Sequence, residues 1–260
     1  MSETDYDARF GGIQRLYGRQ TTSRFQAAHV VVVGIGGVGS WTAEALARSG
    51  VGRLTLVDLD DLCITNVNRQ IHALDGSIGQ PKVSAMADRI RSIHPGCSVT
   101  PVTNFFTAES ADSLLSPGFD CMVDAIDSLH NKCLLIAECR RRGLPLVVCG
   151  SAGGRIDPTR IRAADLAHTV QDRLLAEVRG RLRSLHGFPK GPGAWDIPAV
   201  YSLEPSRKPP AESNGATDSE TDPRGPRLNC DSGYGSATFV TGAMGFAAAA
   251  QVIDVLAKKA

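Results

Sequence analysis

Glycine and aspartate residues in the first quarter of this chain have the types and spacing of a nucleotide-binding site. Gly34, Gly36 and Gly39 follow the apolar run 30–33 at G-x-G-x-x-G spacing. Glycines at this spacing permit a tight turn, a close approach of phosphate to backbone N–H groups and close helix–strand packing. Asp58 ends a second apolar run, where a carboxylate would accept hydrogen bonds from ribose hydroxyls. The pattern predicts a nucleotide site and by itself is equally typical of NAD or FAD enzymes.

The polar segment after Asp58 favours a triphosphate over a nicotinamide. It runs from Asp60 to His72, contains the sequence TNVNRQ, and precedes Lys82 at the start of the next predicted helix. A nicotinamide ring requires an apolar slot, whereas phosphates are bound by amides and by the cations of arginine and lysine. An NAD-dependent oxidoreductase or a pure binding protein would leave Arg69 and Lys82 without a role.

A further carboxylate follows the apolar strand predicted at 119–126. Asp127 stands at its end, so it should face the same crevice as the phosphates. Mg²⁺ is usually held by one or two carboxylates plus phosphate oxygens, which makes Asp127 the predicted Mg²⁺ ligand. Asp127 could instead cap the helix that begins near Ser128, and the two roles do not exclude each other.

Composition and charge narrow the class of protein. The 260 residues suffice for one large α/β domain, and a net charge of +1 predicts that any nucleic-acid binding must use a local basic patch. Seven cysteines include no C-x-x-C pair, which argues against a disulfide framework and against a ribbon-type zinc site. The polar N-terminus lacks the apolar core of a signal peptide, so we expect a cytoplasmic protein.

The order of predicted strands and helices indicates a Rossmann-like α/β fold. We expect a central, mostly parallel sheet flanked by helices, plus a smaller C-terminal region. The expected parts of this single domain (1–260) are an arm at 1–28, a nucleotide-binding core at 29–150 and a C-terminal substrate and dimer region at 151–260, with a flexible loop at about 186–227.

Two helices are predicted in the C-terminal region. The periodicity of leucine and valine over 165–185 predicts an amphipathic helix. The apolar segment 237–257 is marginal as a membrane span because alanine, glycine and valine dominate it. We therefore expect a helix buried against the sheet or a dimer partner, with membrane association as the minor alternative.

Arginines cluster in two places outside the predicted core. In the arm they alternate with apolar residues, which is typical of an amphipathic helix with solvated arginines, although one of them could reach a phosphate. Between 155 and 183 they could together form the positive field that a phosphate backbone requires, while each alone is better explained as a solvated surface residue.

These motifs together resemble the ubiquitin-activating-enzyme-like adenylyltransferases of the ThiF and MoeB type. Within that group the chain is most similar to the tRNA threonylcarbamoyladenosine dehydratases, nearly from end to end, except across 186–227. The motifs that carry the resemblance are RFGG and RLYG in the arm, GIGGVGS at 34–40, the Asp58 strand end, TNVNRQ at 65–70, GQPK at 79–82, DAIDS at 124–128, GSAGGRIDPTRI at 150–161 and NCDSGYGSATFVTGAMGF at 229–246.

The resemblance implies an enzyme that uses ATP to activate the carboxylate of N6-threonylcarbamoyladenosine, next to the tRNA anticodon. Carboxylate oxygen is a poor leaving group, and its attachment to AMP permits ring closure. ATP and Mg²⁺ are the implied cofactors. The implied partners are tRNA, a second copy in a homodimer and, as a further candidate, a sulfur-transfer protein. The alternative within the group is activation of the C-terminal glycine of a ubiquitin-like sulfur-carrier protein.

The resemblance also implies roles for individual residues. Arg15 is the favoured arm residue for contacting ATP, across the dimer interface, with Arg9 as the alternative. Cys230 could take over the activated acyl group, or it could be a buried structural cysteine. The implied catalytic residues are Arg15, Arg69, Lys82, Asp127 and Cys230. The implied nucleotide-binding residues are Gly34, Gly36, Gly37, Gly39, Asp58 (ribose), Asp60, Asn66, Arg69 and Lys82 (phosphates) and Asp127 (Mg²⁺), and the tRNA-binding candidates are Arg155, Arg160, Arg162 and Arg173.

Overall fold

A computed structural model describes residues 3–115, 118–207 and 234–258 of the chain. Helices and strands alternate through most of these ranges. The strands are β1 (His29–Val33), β2 (Arg53–Val57), β3 (Ser98–Val102), β4 (Cys121–Asp124), β5 (Leu146–Cys149), β6 (Ile161–Asp165) and β7 (Pro198–Ser202). The helices are α1 (Glu3–Tyr17), α2 (Arg19–Ala27), α3 (Gly37–Arg48), α4 (Lys82–Ile93), α5 (Ala108–Leu115), α6 (Leu129–Arg142), α7 (Arg173–Leu185) and α8 (Thr238–Lys258).

The strands form one sheet in the order β3-β2-β1-β4-β5-β7-β6. Every neighbouring pair is parallel except β6 and β7, which are antiparallel. The chain moves outward from β1 to β3 on one side and continues from β4 on the other side of β1. The crevice beyond the carboxyl ends of β1 and β4 is therefore a topological switch point, where ligands bind in open α/β sheets. The predicted mostly parallel α/β fold is confirmed.

Helices cover both faces of the sheet, as the apolar strands require. Val30 and Val32 of β1 belong to the core under α3, α4 and α8, and Val31 and Val33 belong to the core under α6 and α7. Successive side chains of a strand point to opposite faces, so a continuous valine run fills both layers at once. The run that looked only apolar in the sequence is the centre of a three-layer protein.

Helix α8 packs inside the protein and lies along α3. It is long and apolar enough to cross a membrane by length and composition, but 56% of its most apolar window is buried. A Cβ atom at Gly245 would lie 2.6 Å from Cβ of Trp41 and 2.7 Å from the carbonyl oxygen of Val38. Glycine at this position lets the two helices touch. The prediction of a helix buried against the body of the protein is confirmed.

Two predicted boundaries in the C-terminal region are wrong. The helix expected at 165–185 begins at Arg173, because the Asp172 carboxylate accepts a hydrogen bond from the Leu175 backbone N–H at 3.0 Å and caps it there. The loop expected at 186–227 contains strand β7 and the buried side chain of Trp195. A five-residue strand that starts with proline gives little periodic signal, and its position between β5 and β6 depends on distant residues.

Candidate nucleotide-binding site

The glycine turn leaves room for a ligand at one position and closes on itself at the others. Gly34 has φ +89°, and a Cβ there would lie 2.8 Å from the carbonyl oxygen of Ala125. A Cβ at Gly39 would lie 1.8 Å from the carbonyl oxygen of Gly34, whereas one at Gly36 would meet nothing within 4 Å. Gly36 also precedes the first residue of α3, Gly37, where helix N–H groups point outward. The open space beside Gly36 is the place where a phosphate could approach.

Asp58 links the end of β2 to this turn. Its Oδ2 accepts a hydrogen bond from the Ile35 backbone N–H at 2.6 Å, and its Oδ1 accepts one from the Asp60 backbone N–H at 2.9 Å. Burial raises the pKa of Asp58, while the Lys82 charge and the two backbone donors oppose the rise. The carboxylate is thus oriented in advance, and each oxygen retains a lone pair for a ribose hydroxyl.

Lys82 begins α4 with its charge directed at this crevice. Its Nζ lies 2.7 Å from Oδ2 of Asp60; the lysine side chain is 7% exposed and the aspartate side chain 53%. The Lys82 backbone N–H also donates to the Asp60 carbonyl oxygen at 3.0 Å. The cation is therefore held in place by a carboxylate that solvent, or a competing anion, can reach.

The segment between Asp60 and Lys82 shapes the rim of the crevice. Oδ1 of the buried Asn66 accepts a hydrogen bond from the Cys63 backbone N–H at 3.1 Å, which gives Asn66 a role in forming the turn. The Arg69 guanidinium donates to the Thr65 carbonyl oxygen at 2.7 Å, and its Cδ lies 3.6 Å from the position of a Cβ on Gly37. Arg69 therefore lies over the start of α3, while a phosphate contact by Asn66 stays a prediction.

His72 lies beneath this rim and was not singled out by the sequence. It is buried, and neither ring nitrogen has a hydrogen-bond partner in the described residues. Burial, with the charges of Lys82 and Arg89, lowers its pKa to about 3. A neutral imidazole therefore lies close to the cation that faces the crevice.

A buried ion pair follows β4 and was also missed. Lys132 Nζ lies 2.7 Å from Oδ1 of Asp124, and both side chains are 0% exposed. Burial raises the pKa of Asp124, and Lys132 opposes this. The pair joins the strand end to the first turn of α6, so it fixes the short connection that carries Asp127. No sequence motif marks it, because the two residues are eight positions apart on different elements.

Asp127 is exposed at the carboxyl edge, as its position after β4 predicted. Ser128 occupies the N-cap position of α6, so the alternative that Asp127 caps this helix is wrong. Three residues earlier, Asp124 Oδ2 is buried with no hydrogen-bond partner among the residues that the structure describes. Over the same residues, no cluster of three or more His, Cys, Asp or Glu side chains could hold a metal. A single exposed carboxylate is compatible with Mg²⁺ held mainly by phosphate oxygens, and the role of Asp127 as its ligand stays a prediction.

The arm lies at the opposite edge of the sheet. The Tyr6 hydroxyl donates to the Gly50 carbonyl oxygen at 2.9 Å, before β2 begins, and the Arg9 guanidinium donates to the Ile93 carbonyl oxygen at the end of α4. The guanidinium of Arg15 folds back to 3.7 Å from a Cβ position on Gly11. A five-residue strand spans about 16 Å, so Arg9 lies far from the glycine turn of its own chain.

The arginines proposed for tRNA binding do not share one environment. Arg155 is 2% exposed: its Nε donates to the Glu204 carbonyl oxygen at 3.0 Å, and its guanidinium lies 3.3 Å from Asp172. A buried, paired guanidinium cannot present itself to a polyanion, so the expectation is wrong for Arg155. Arg160, Arg162 and Arg173 are exposed and remain candidates.

Cys230 lies outside the described residues, so its role stays a prediction. The segment that resumes after it meets the crevice: Ser236 accepts a hydrogen bond through its carbonyl oxygen from the Asn68 amide at 3.0 Å. The Gly154 backbone N–H donates to the Gly235 carbonyl oxygen at 2.8 Å. The connection from the C-terminal region therefore passes directly beside the TNVNRQ segment.

With this geometry established, the chain can be compared with known proteins. The ThiF family model matches residues 11–260, and the chain belongs to the ThiF family. This is the class of protein that the glycine turn and the polar rim indicate.

Two similar proteins with the same name match nearly the whole chain. A tRNA threonylcarbamoyladenosine dehydratase from Haemophilus influenzae is 45% identical over 256 residues, spanning 98% of this chain and 95% of the relative. The enzyme of that name from Escherichia coli is 47% identical over 253 residues, spanning 97% and 94%. A crystal structure of the E. coli enzyme, TcdA, in complex with ATP matches with a TM-score of 0.86 at 44% identity, covering 98% of this chain and 96% of that chain.

Proposed function

We propose that this chain is an ATP-dependent tRNA threonylcarbamoyladenosine dehydratase. It would activate the threonyl carboxylate of the modified adenosine next to the tRNA anticodon, and the activated carboxylate would then close into a ring with net loss of water. The observation that carries the proposal is the convergence of Gly36, Asp58, Lys82 and Asp127 on one crevice, in a chain similar to dehydratases over nearly its whole length.

Each residue of the crevice has a task that its geometry suits. The N–H groups at the start of α3 and the Lys82 cation would bind phosphates, and the oriented carboxylate of Asp58 would bind ribose. Arg69, which lies over the glycine turn, would neutralise charge on the reacting phosphate. Mg²⁺, when bound by Asp127 together with phosphate oxygens, supplies further charge neutralisation. The relative's complexes with ATP and with AMP support this assignment of the nucleotide.

We also propose a homodimer in which the arm of one copy completes the site of the other. The support is the placement of Arg9: it contacts the Ile93 carbonyl oxygen at the amino edge of the sheet, and the length of a strand, about 16 Å, separates this edge from the glycine turn of the same chain. Arg15 is the favoured residue because it is exposed and has not been drawn into a contact with α4, as Arg9 has. A cytoplasmic location and a sulfur-transfer partner are further proposals.

The alternative function is adenylation of the C-terminal glycine of a sulfur-carrier protein. It would use the same nucleotide site and differ only in the carboxylate that is activated. Similarity to dehydratases along 97–98% of this chain favours the modified tRNA.

The test is turnover of tRNA that carries the threonylcarbamoyl group, with ATP and Mg²⁺, followed by mass spectrometry of the released nucleosides. We expect loss of one water from the modified adenosine. Asp127→Asn should lower the rate by about 10²–10³-fold, whereas the matched control Asp88→Asn, on the exposed side of α4, should not change it. An unchanged nucleoside, with AMP attached to a carrier protein instead, would reject the dehydratase in favour of the alternative.

A further inference from the structure

A second cationic region lies away from the nucleotide site, on helices α6 and α7. Helix α7 begins at the carboxyl edge, where Asp172 accepts a hydrogen bond from the Ser151 backbone N–H at 2.9 Å. It ends at the amino edge, about 20 Å further on for its thirteen residues. There it meets the last turn of α6 and the segment before β7. We call the cations gathered at this end the distal basic surface, formed by Arg140, Arg141, Arg142, Arg181, Arg183 and Lys190.

Two of these arginines are held by aromatic rings. The guanidinium carbon of Arg140 lies 4.3 Å from the centre of the Phe188 ring, and that of Arg183 lies 5.1 Å from the centre of the Trp195 ring. The rings themselves pack edge to face with centres 4.8 Å apart. Neither arginine has a carboxylate partner in the described part of the chain. Stacking fixes the plane of a guanidinium and leaves most of its N–H donors available; of these two, Arg183 uses its Nε–H to donate to the Pro189 carbonyl oxygen at 3.4 Å.

Carboxylates compensate this surface only in part. Glu138 is shared between Arg141 and Arg142, and Asp112 pairs with Arg142 as well. Burial, followed by the charge of Arg183, lowers the pKa of Arg179 one turn earlier on α7. Like charges are thus close enough to repel one another, in a chain whose net charge is only +1. An anion with several charges bound here would relieve that repulsion.

A small cavity lies within the same region. It measures about 130 Å³ and is bordered by Arg140, Pro145, Trp195 and Asp196. Because a carboxylate borders it, the cavity itself does not favour an anion. The groups of this region that suit phosphate are the arginines at the surface.

We propose that the distal basic surface binds the RNA backbone of the stem that adjoins the modified nucleoside. This rests on the proposed function, in which the reacting adenosine lies at the carboxyl edge. Because that nucleoside is next to the anticodon, its stem must extend away from the crevice, and α7 leads from the crevice to these arginines. Exposed Arg173 at the start of α7 lies along the same line. Helical RNA is recognised through its phosphates and 2′-hydroxyls, which needs no base-specific contact.

The test is direct binding of fluorescently labelled tRNA to the purified full-length protein across a range of salt concentrations. In the triple variant Arg140→Gln/Arg181→Gln/Lys190→Gln we expect Kd to rise tenfold or more at moderate salt. The slope of log Kd against log salt should fall by about two to three, since each phosphate contact contributes roughly 0.7–0.9. The KM for ATP should not change.

A matched control separates this surface from overall charge. The variant Arg48→Gln/Arg53→Gln/Arg91→Gln removes the same charge from exposed positions on α3, β2 and α4 and should bind tRNA as the wild type does. Equal losses in both triple variants, or no loss in the first, would overturn the inference. Dehydration by the wild type is measured on the same preparation. Surface-dependent tRNA binding without dehydration would reject the proposed function and uphold the surface.

Discussion

Two lysine–aspartate pairs stand at the carboxyl edge of this sheet, and they differ in exposure. In each, a lysine in the first turn of a helix lies 2.7 Å from an aspartate that follows a strand or ends it. Lys82 pairs with Asp60, whose side chain is 53% exposed, whereas Lys132 and Asp124 are both 0% exposed. The distance between charges therefore does not distinguish them; access to a third group does.

The difference in exposure indicates which of the two lysines can bind a ligand. The two charges of a buried pair face each other out of reach of a ligand, and removal of either partner leaves a charge that water cannot reach. A pair with one exposed member can exchange its carboxylate for a phosphate without unfolding anything, because the displaced carboxylate remains hydrated. We infer that Lys82 acts on the nucleotide, while Lys132 holds the connection that presents Asp127.

The largest expected effect is on stability, in Lys132→Met. Asp124 would be left buried beside an apolar side chain, which typically costs about 3–5 kcal/mol of unfolding free energy. Urea denaturation measures this loss.

The double variant Asp124→Leu/Lys132→Met is its control. Apolar replacement of a whole buried pair is often neutral or stabilising, so most of the loss should be recovered. A loss below about 1 kcal/mol in the single variant would mean that the pair does not hold the connection.

The opposite pattern is expected for Lys82→Met. The rate with ATP should fall by about 10²–10³-fold, because the site loses a cation that faces the phosphates. The unfolding free energy should change by less than about 1 kcal/mol, since Asp60 stays half-exposed. Steady-state kinetics and urea denaturation of one preparation measure both. A variant that unfolds readily but turns over normally would invert the assignment of the two lysines.

The two pairs also show which features of the site could be predicted from the sequence. The positions of Gly34, Gly36, Asp58 and Lys82 at a turn, a strand end and a helix start could be predicted from local spacing, while their contacts with a nucleotide stay predictions. The Lys132–Asp124 pair could not, because it depends on how α6 packs against the end of β4. Both pairs consist of a lysine and an aspartate, so residue type alone does not distinguish the exposed pair from the buried one; position in the fold does.

The same limit applies to the arginines. An arginine in sequence is equally suited to solvent, to an ion pair and to a phosphate, and only packing separates these uses. Arg155 is buried against Asp172, and Arg140 lies on an aromatic ring. The location of the arm at the amino edge was likewise invisible, since it depends on Tyr6 reaching Gly50.

The smallest expected effect concerns His72, beside the exposed pair. Burial, Lys82 and Arg89 lower its pKa to about 3, so the folded protein holds it neutral. In the unfolded chain its pKa is about 6.5. Its contribution to stability is therefore present above about pH 6.5 and is lost as the pH falls below that value toward 3.

Between pH 7 and pH 5 the loss of unfolding free energy from His72 should be about 2 kcal/mol. Urea denaturation at both pH values measures it. His72→Gln should lose about 2 kcal/mol less than the wild type, and His130→Gln, an exposed histidine on α6, should lose as much as the wild type. If His72→Gln keeps the full acid sensitivity, the imidazole is already protonated in the folded protein and adds a positive charge beside the Lys82–Asp60 pair.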